Sequence, residues 1–132
     1  MASSHHRIRI KRAYEEPAPD DGYRVLVDRL WPRGLGKGRS RLDAWLKDLA
    51  PSPELRRWFG HDPTRWQEFR RRYEVELSRP EARTLLDELA ERARLGPVTL
   101  IYAARDEQHN GAVVLRDLLE ERLKGGVRGS RG

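Results

Sequence analysis

Two short clusters carry the side-chain types that acid–base chemistry on an anion requires. Asp28, Arg29, Trp31 and Arg33 form the first, and Arg105, Asp106, His109 and Asn110 form the second. Carboxylates and an imidazole exchange protons near neutral pH, guanidiniums grip an oxyanion in a two-pronged fashion, and an indole stacks on a planar group. An amide at a helix start stands beside free N–H groups that favour negative charge. Asp28, Asp106 and His109 are therefore the candidate catalytic residues, with Arg29, Trp31, Arg33 and Asn110 as the substrate-binding set. His61, in the pair His61-Asp62 that restarts a helical pattern, is a further binding candidate. A purely architectural reading competes with this one: Asp28 paired internally with an arginine, Trp31 filling the core, and Asn110 and Asp62 serving only as helix caps.

Each cluster directly follows a continuous apolar run. Residues 23–30 contain Val25-Leu26-Val27, and residues 98–104 read VTLIYAA, the composition of strands covered on both faces in a parallel sheet. Residues 7–13 alternate, with Ile8 and Ile10 on one side and Arg7, Arg9 and Lys11 on the other, which predicts an edge strand. Between the two buried strands the period is helical. Leu42, Trp45, Leu46 and Leu49 predict a helix that Pro51 stops, Ser52-Pro53 opens a short one closed by Gly60, and Trp66, Phe69, Tyr73 and Leu77 line another. Ala82, Leu85, Leu86, Leu89 and Ala93 mark the next, and Asn110 caps a last helix facing inward through Val113, Val114, Leu118 and Leu119. Helical spacing assigns the tryptophans and phenylalanines of the middle segment to the core, and the Gly-rich residues 34–38 read as a flexible lid.

The expected architecture is one compact α/β domain over residues 7–123, with a short, largely parallel sheet flanked by helices and a helical insertion between the central strands. Residues 1–6 and 124–132 are expected to be flexible termini. Such sheets bind ligands beyond the carboxyl ends of their strands, so the two clusters meet if the buried strands are neighbours.

Composition narrows the chemistry. With no cysteine among 132 residues, disulfides, thiolate nucleophiles and thiolate-held metals are excluded. No apolar run reaches the ~18–20 residues of a membrane span, and the N-terminus lacks a signal peptide, so a cytoplasmic chain without a membrane partner is expected. The net charge of +6 is half tail, where Lys124, Arg128 and Arg131 meet no acid. Neither a P-loop nor a dinucleotide fingerprint occurs, no paired-histidine motif supports a metal, and no cofactor is expected.

The stretches VLVDRLWPRG (25–34), WLKDLAPSPELRRWFGHDPTRWQEFRRRY (45–73) and VTLIYAARDEQHN (98–110) resemble the YeaO-like family of bacterial proteins of unknown function. The resemblance runs from Arg7 to Glu120 and implies a compact α/β domain without an assigned activity. It matches Asp28-Arg29 to an Asp-Arg pair at the early strand end, and Asp106 and His109 to an acid and a His-containing turn. Many YeaO-like sequences carry a second histidine two positions on, where this chain has Gly111. The leading expectation is a small enzyme acting on an anionic, nucleotide-like or phosphorylated compound, with Asp28 or Asp106 and His109 exchanging protons. The alternative is a nucleic-acid-binding or regulatory module using the basic first strand, Arg70-Arg71-Arg72 and the arginine tail. The sequence leaves the oligomeric state open.

Overall fold

The computed structural model describes residues 8–129, with side chains through Lys124. Four parallel strands form one sheet: β1 (Ile8–Arg12), β2 (Tyr23–Leu26), β3 (Ala44–Trp45) and β4 (Val98–Tyr102), in the order β1-β4-β2-β3. The helices are α1 (Lys37–Ser40), α2 (Pro53–Phe59), α3 (Trp66–Glu76), α4 (Pro80–Leu95) and α5 (Gly111–Gly129). This is the expected α/β architecture, and β4 slots between β1 and β2 after the long helical insertion. The last helix continues to Gly129, past the expected domain end at Leu123. Residues 1–7 and 130–132 lie outside the described residues.

Strand alternation sorts the core onto two faces. Ile8, Val25, Val27, Val98, Leu100 and Tyr102 join the main cluster with Phe69, Tyr73, Leu86, Leu89 and Leu119 from the helices. Ala13, Leu26 and Ile101 point the other way, where Trp31, Leu35, Leu42 and Trp45 cover them. Helices were expected on both faces; the second is closed instead by the segment between β2 and β3. At the other end of that face, Lys11, Asp21 and Arg24 form an ion triad. Arg24, 4% exposed, donates to Asp21 Oδ2 at 2.6 Å and to the carbonyls of Ser40 and Arg41.

The helix expected over residues 42–49 is absent, and β3 with a 3-10 turn at Lys47–Leu49 takes its place. Eight residues with apolar positions at 42, 45, 46 and 49 suit either period, and an open sheet edge decided the outcome. Asp43 N donates to Arg24 O, Leu46 N to Leu26 O, and the Asp43 carboxylate accepts from Arg24 N. Ser40 opens no helix here; it closes the single turn α1 and donates through Oγ to the Lys37 carbonyl three residues back. Residues 34–38, expected to be a lid, are thus tied down by α1 and by the Trp31 indole, which donates to Leu35 O at 2.7 Å. The other predicted helices form. Ser52 accepts from Leu55 N, Gly60 ends α2 at φ 55°, and Asn110 Oδ1 accepts from Val113 N at the start of α5.

The free edge of β1 is guarded. Ala13 N donates to Tyr102 O, so by alternation Ile8, Ile10 and Arg12 turn their N–H groups outward. Glu120 Oε2 takes the first at 3.1 Å and Glu15 Oε2 takes the third at 3.3 Å.

Candidate functional site

β2 and β4 are hydrogen-bonded neighbours with Leu26 opposite Ile101, and Val27 N extends the ladder by one bond to Ile101 O. Beyond this point the chain bends, so the adjacent residues Asp28 and Arg29 escape strict alternation and both line one cavity of about 420 Å³. Trp31 and Arg33 join them from the same segment, His109 and Asn110 arrive after β4, and His61 arrives from the turn after α2. Volume and position match a small-molecule site at the carboxyl ends of a parallel sheet.

Asp28 links the two strand ends, its Oδ2 accepting from Ala103 N at 2.9 Å. Burial pushes its carboxyl above the usual range, against the opposing pull of the Ala103 N–H and the positive charge of Arg56. The internal ion pair of the architectural reading does not form, because no guanidinium lies within ion-pair distance of Asp28. Arg29 likewise has no carboxylate in range, and its Nε is buried without an acceptor. Both statements hold among the described residues. Trp31 has a double position, lining the cavity while meeting Trp45 edge-on with centroids 5.4 Å apart.

Asp106 departs from its expected place: it does not line the cavity. It sits behind His109, with Oδ2 3.0 Å from Nδ1 and Oδ1 accepting from the backbone N–H groups of Gln108 and His109. These bonds, the Gln108 N–H foremost, hold its carboxyl below the usual range. The short turn between β4 and α5 creates this arrangement, since an Asp two or three residues before free N–H groups folds back on them. Asp106 thus holds the imidazole from its Nδ1 side and stays outside the cavity lining. The Trp66 ring meets the imidazole edge-on at 5.3 Å. Asn110 both caps α5 and fixes the turn, donating from Nδ2 to Asp106 O at 2.8 Å. His61 stands exposed at φ 58°, directly after the left-handed Gly60.

Sequence reasoning missed Arg56, Tyr14 and Phe59, all of which line the cavity. Arg56 had a readable signal. It stands on α2 with no acid three or four positions away, whereas the arginine run on α3 is spoken for. Arg70 pairs with Glu74 and Asp117, and Arg71 and Arg72 both pair with Glu68. Tyr14 had none, because its hydroxyl acts across sequence, donating to Arg33 O at 2.9 Å. Among the described residues, no three histidine or acidic side chains gather to hold a metal, and no helix is long and apolar enough to cross a membrane.

Comparison with known proteins matches residues 7–130 to a family described as the inactive DUF488-N3 subclade. An uncharacterised protein of Mycobacterium tuberculosis is 47% identical over 116 residues, covering 88% of this chain and 96% of its own length. An uncharacterised protein of Mycobacterium bovis gives the same figures. The uncharacterised protein YeaO of Escherichia coli is 43% identical over 112 residues, covering 85% of this chain and 96% of its own length. No solved structure matches.

Proposed function

This chain belongs to the YeaO-like family, the inactive DUF488-N3 subclade, and from that premise we propose that it binds an anionic small molecule in the cleft beyond β2 and β4. One observation carries the reading: Arg29, Arg33 and Arg56 line a single cavity, and none has a carboxylate within ion-pair distance among the described residues. Unpaired guanidiniums converging on a concave site favour an oxyanion. Binding without turnover agrees with the family's description as inactive. A second reading, an acid–base enzyme at the same cleft, draws on the Asp106–His109 pair facing a buried Asp28 whose carboxyl is held above its usual range.

The nucleic-acid alternative finds less support, because among the described residues the basic side chains of the first strand and the arginine run on α3 are already engaged. Arg9 pairs with Asp20, Lys11 with Asp21, and Arg12 donates to the carbonyls of Ala103 and Ala104. A thermal-shift screen over phosphates, nucleotides, dicarboxylates and uncharged sugars tests the reading, since a ligand at a hundred times its dissociation constant adds ~2.7 kcal/mol of stability. Anions should raise the melting temperature, and Arg29→Ala should abolish the rise. If sugars stabilise as well as anions do, the reading fails. Following the bound compound by NMR then separates the two forms: unchanged signals favour binding, and product signals favour the enzyme.

A further inference from the structure

We infer that the ligand is a phosphate monoester carrying an aromatic ring, an inference that rests on the anion-binding reading above and makes it specific. Charge comes first. Among the arginines and carboxylates of the lining, three guanidiniums against the single carboxylate of Asp28 leave a surplus of two positive charges. A carboxylate ligand would neutralise half of that surplus, whereas a phosphate monoester is close to a dianion at neutral pH and neutralises all of it. The arginines are also spread across the mouth and wall. Arg33 and Arg56 are exposed and Arg29 is half-buried, so they can meet several oxygens of one tetrahedral group, which a planar carboxylate does not offer.

The rest of the lining specifies the body of the molecule. Beside the arginines, Asp28 and the polar Asn110, His61 and His109, the wall is apolar or aromatic, with Val27, Phe59, Phe69, Tyr102 and short alanines. Phe59 and Phe69 are stacked at 4.4 Å, and the Trp66–His109 contact continues the aromatic layer to the imidazole. Such walls match a flat ring, held by offset or edge-on contacts, better than a hydroxyl-rich sugar, for which they supply few partners. Asp28 has one protein hydrogen bond, to Oδ2, which leaves its other oxygen for a ligand N–H or O–H on the ring.

The test uses the full chain and three probes, phenyl phosphate, inorganic phosphate and benzoate, in calorimetric titrations at pH 7.5. Phenyl phosphate should bind about tenfold more tightly than either of the others, because it alone combines ring burial with the dianion. The exposed variants Arg33→Gln and Arg56→Gln should each weaken phenyl phosphate about fivefold, as expected for losing one charge-assisted contact near solvent. If inorganic phosphate binds as tightly as phenyl phosphate, the aromatic inference is overturned while the anion site stands. If benzoate equals phenyl phosphate, the phosphate assignment is overturned. Should both variants leave the affinity unchanged, the compound sits elsewhere and the inference is again overturned. Failure of all three probes together with every anion of the wider screen would remove the anion-binding reading itself.

Discussion

Two arginines five positions apart, Arg24 within β2 and Arg29 just beyond it, should respond to the same mutation in opposite ways. Arg24 is buried at 4% exposure, contacts Asp21 at 2.6 Å and holds two backbone carbonyls. Arg24→Ala leaves Asp21, itself 3% exposed, with Lys11 as its remaining ion-pair partner and strands both carbonyls. Removing one side of a buried pair costs about 3–5 kcal/mol, a large fraction of the ~5–15 kcal/mol that holds a domain together. Arg29 presents the reverse case, since it has no ion pair and its Nε is a buried donor without an acceptor. Alanine there removes an unsatisfied group whose burial costs about 1–3 kcal/mol, offsetting the lost packing of its methylene stem. Arg29→Ala should therefore cost less than ~1.5 kcal/mol in urea unfolding with an unchanged m-value, while Arg24→Ala loses at least twice as much. An Arg29→Ala loss equal to that of Arg24→Ala would refute this reasoning, and would make Arg29 part of the scaffold.

Other outcomes follow from single sites. Asp28→Asn keeps a carbonyl acceptor for Ala103 N but removes a charge disfavoured by burial, so it should raise the melting temperature at pH 7. Because the folded-state value is raised, the charged carboxyl destabilises above it, and the gain should shrink on acidification as the wild-type carboxyl protonates; a gain that persists at low pH would contradict this. Asp21 behaves oppositely. Burial alone would raise its carboxyl, yet the Ala18 N–H, Lys11 and Arg24 hold it below the usual range, so the stability it contributes is present above the ordinary Asp value and is lost as pH falls through the depressed one. Urea midpoints measured between pH 6 and 2 should thus fall less steeply for Asp21→Asn than for the wild type. Gly22 (φ 67°) and Gly60 (φ 55°) both sit in left-handed backbone, but a Cβ at Gly22 collides with the Pro97 carbonyl whereas one at Gly60 meets Arg57 O at 3.5 Å. Gly60→Ala should cost about 1 kcal/mol and Gly22→Ala clearly more, read by thermal unfolding.

Much of this fold was legible because long, periodic segments leave little choice. The buried runs before Asp28 and before Arg105, and the stripes of α3, α4 and α5, state their period over many residues. Residues 42–49 were misread because eight residues cannot separate the two periods, and the answer lay in the bare edge of a strand twenty positions earlier. The convergence of Asp28, Arg29 and His109 was legible through one rule about where parallel sheets bind, whereas His61, which follows a helix, falls outside that rule. Asp106 was misplaced because a carboxylate beside a tight turn serves backbone N–H groups first. Tyr14 was invisible for the opposite reason, its partner being a carbonyl that only the folded chain brings near.

The guarded rim of β1 bears on how copies of this protein meet. A foreign strand docking alongside needs a run of outward N–H groups, and of the three that β1 turns outward only Ile10 lacks a carboxylate in front of it. The opposite rim offers two residues of β3, too few to template a partner. Among the described residues, then, one rim of the sheet is largely capped and the other is short, the two features by which edges resist strand addition.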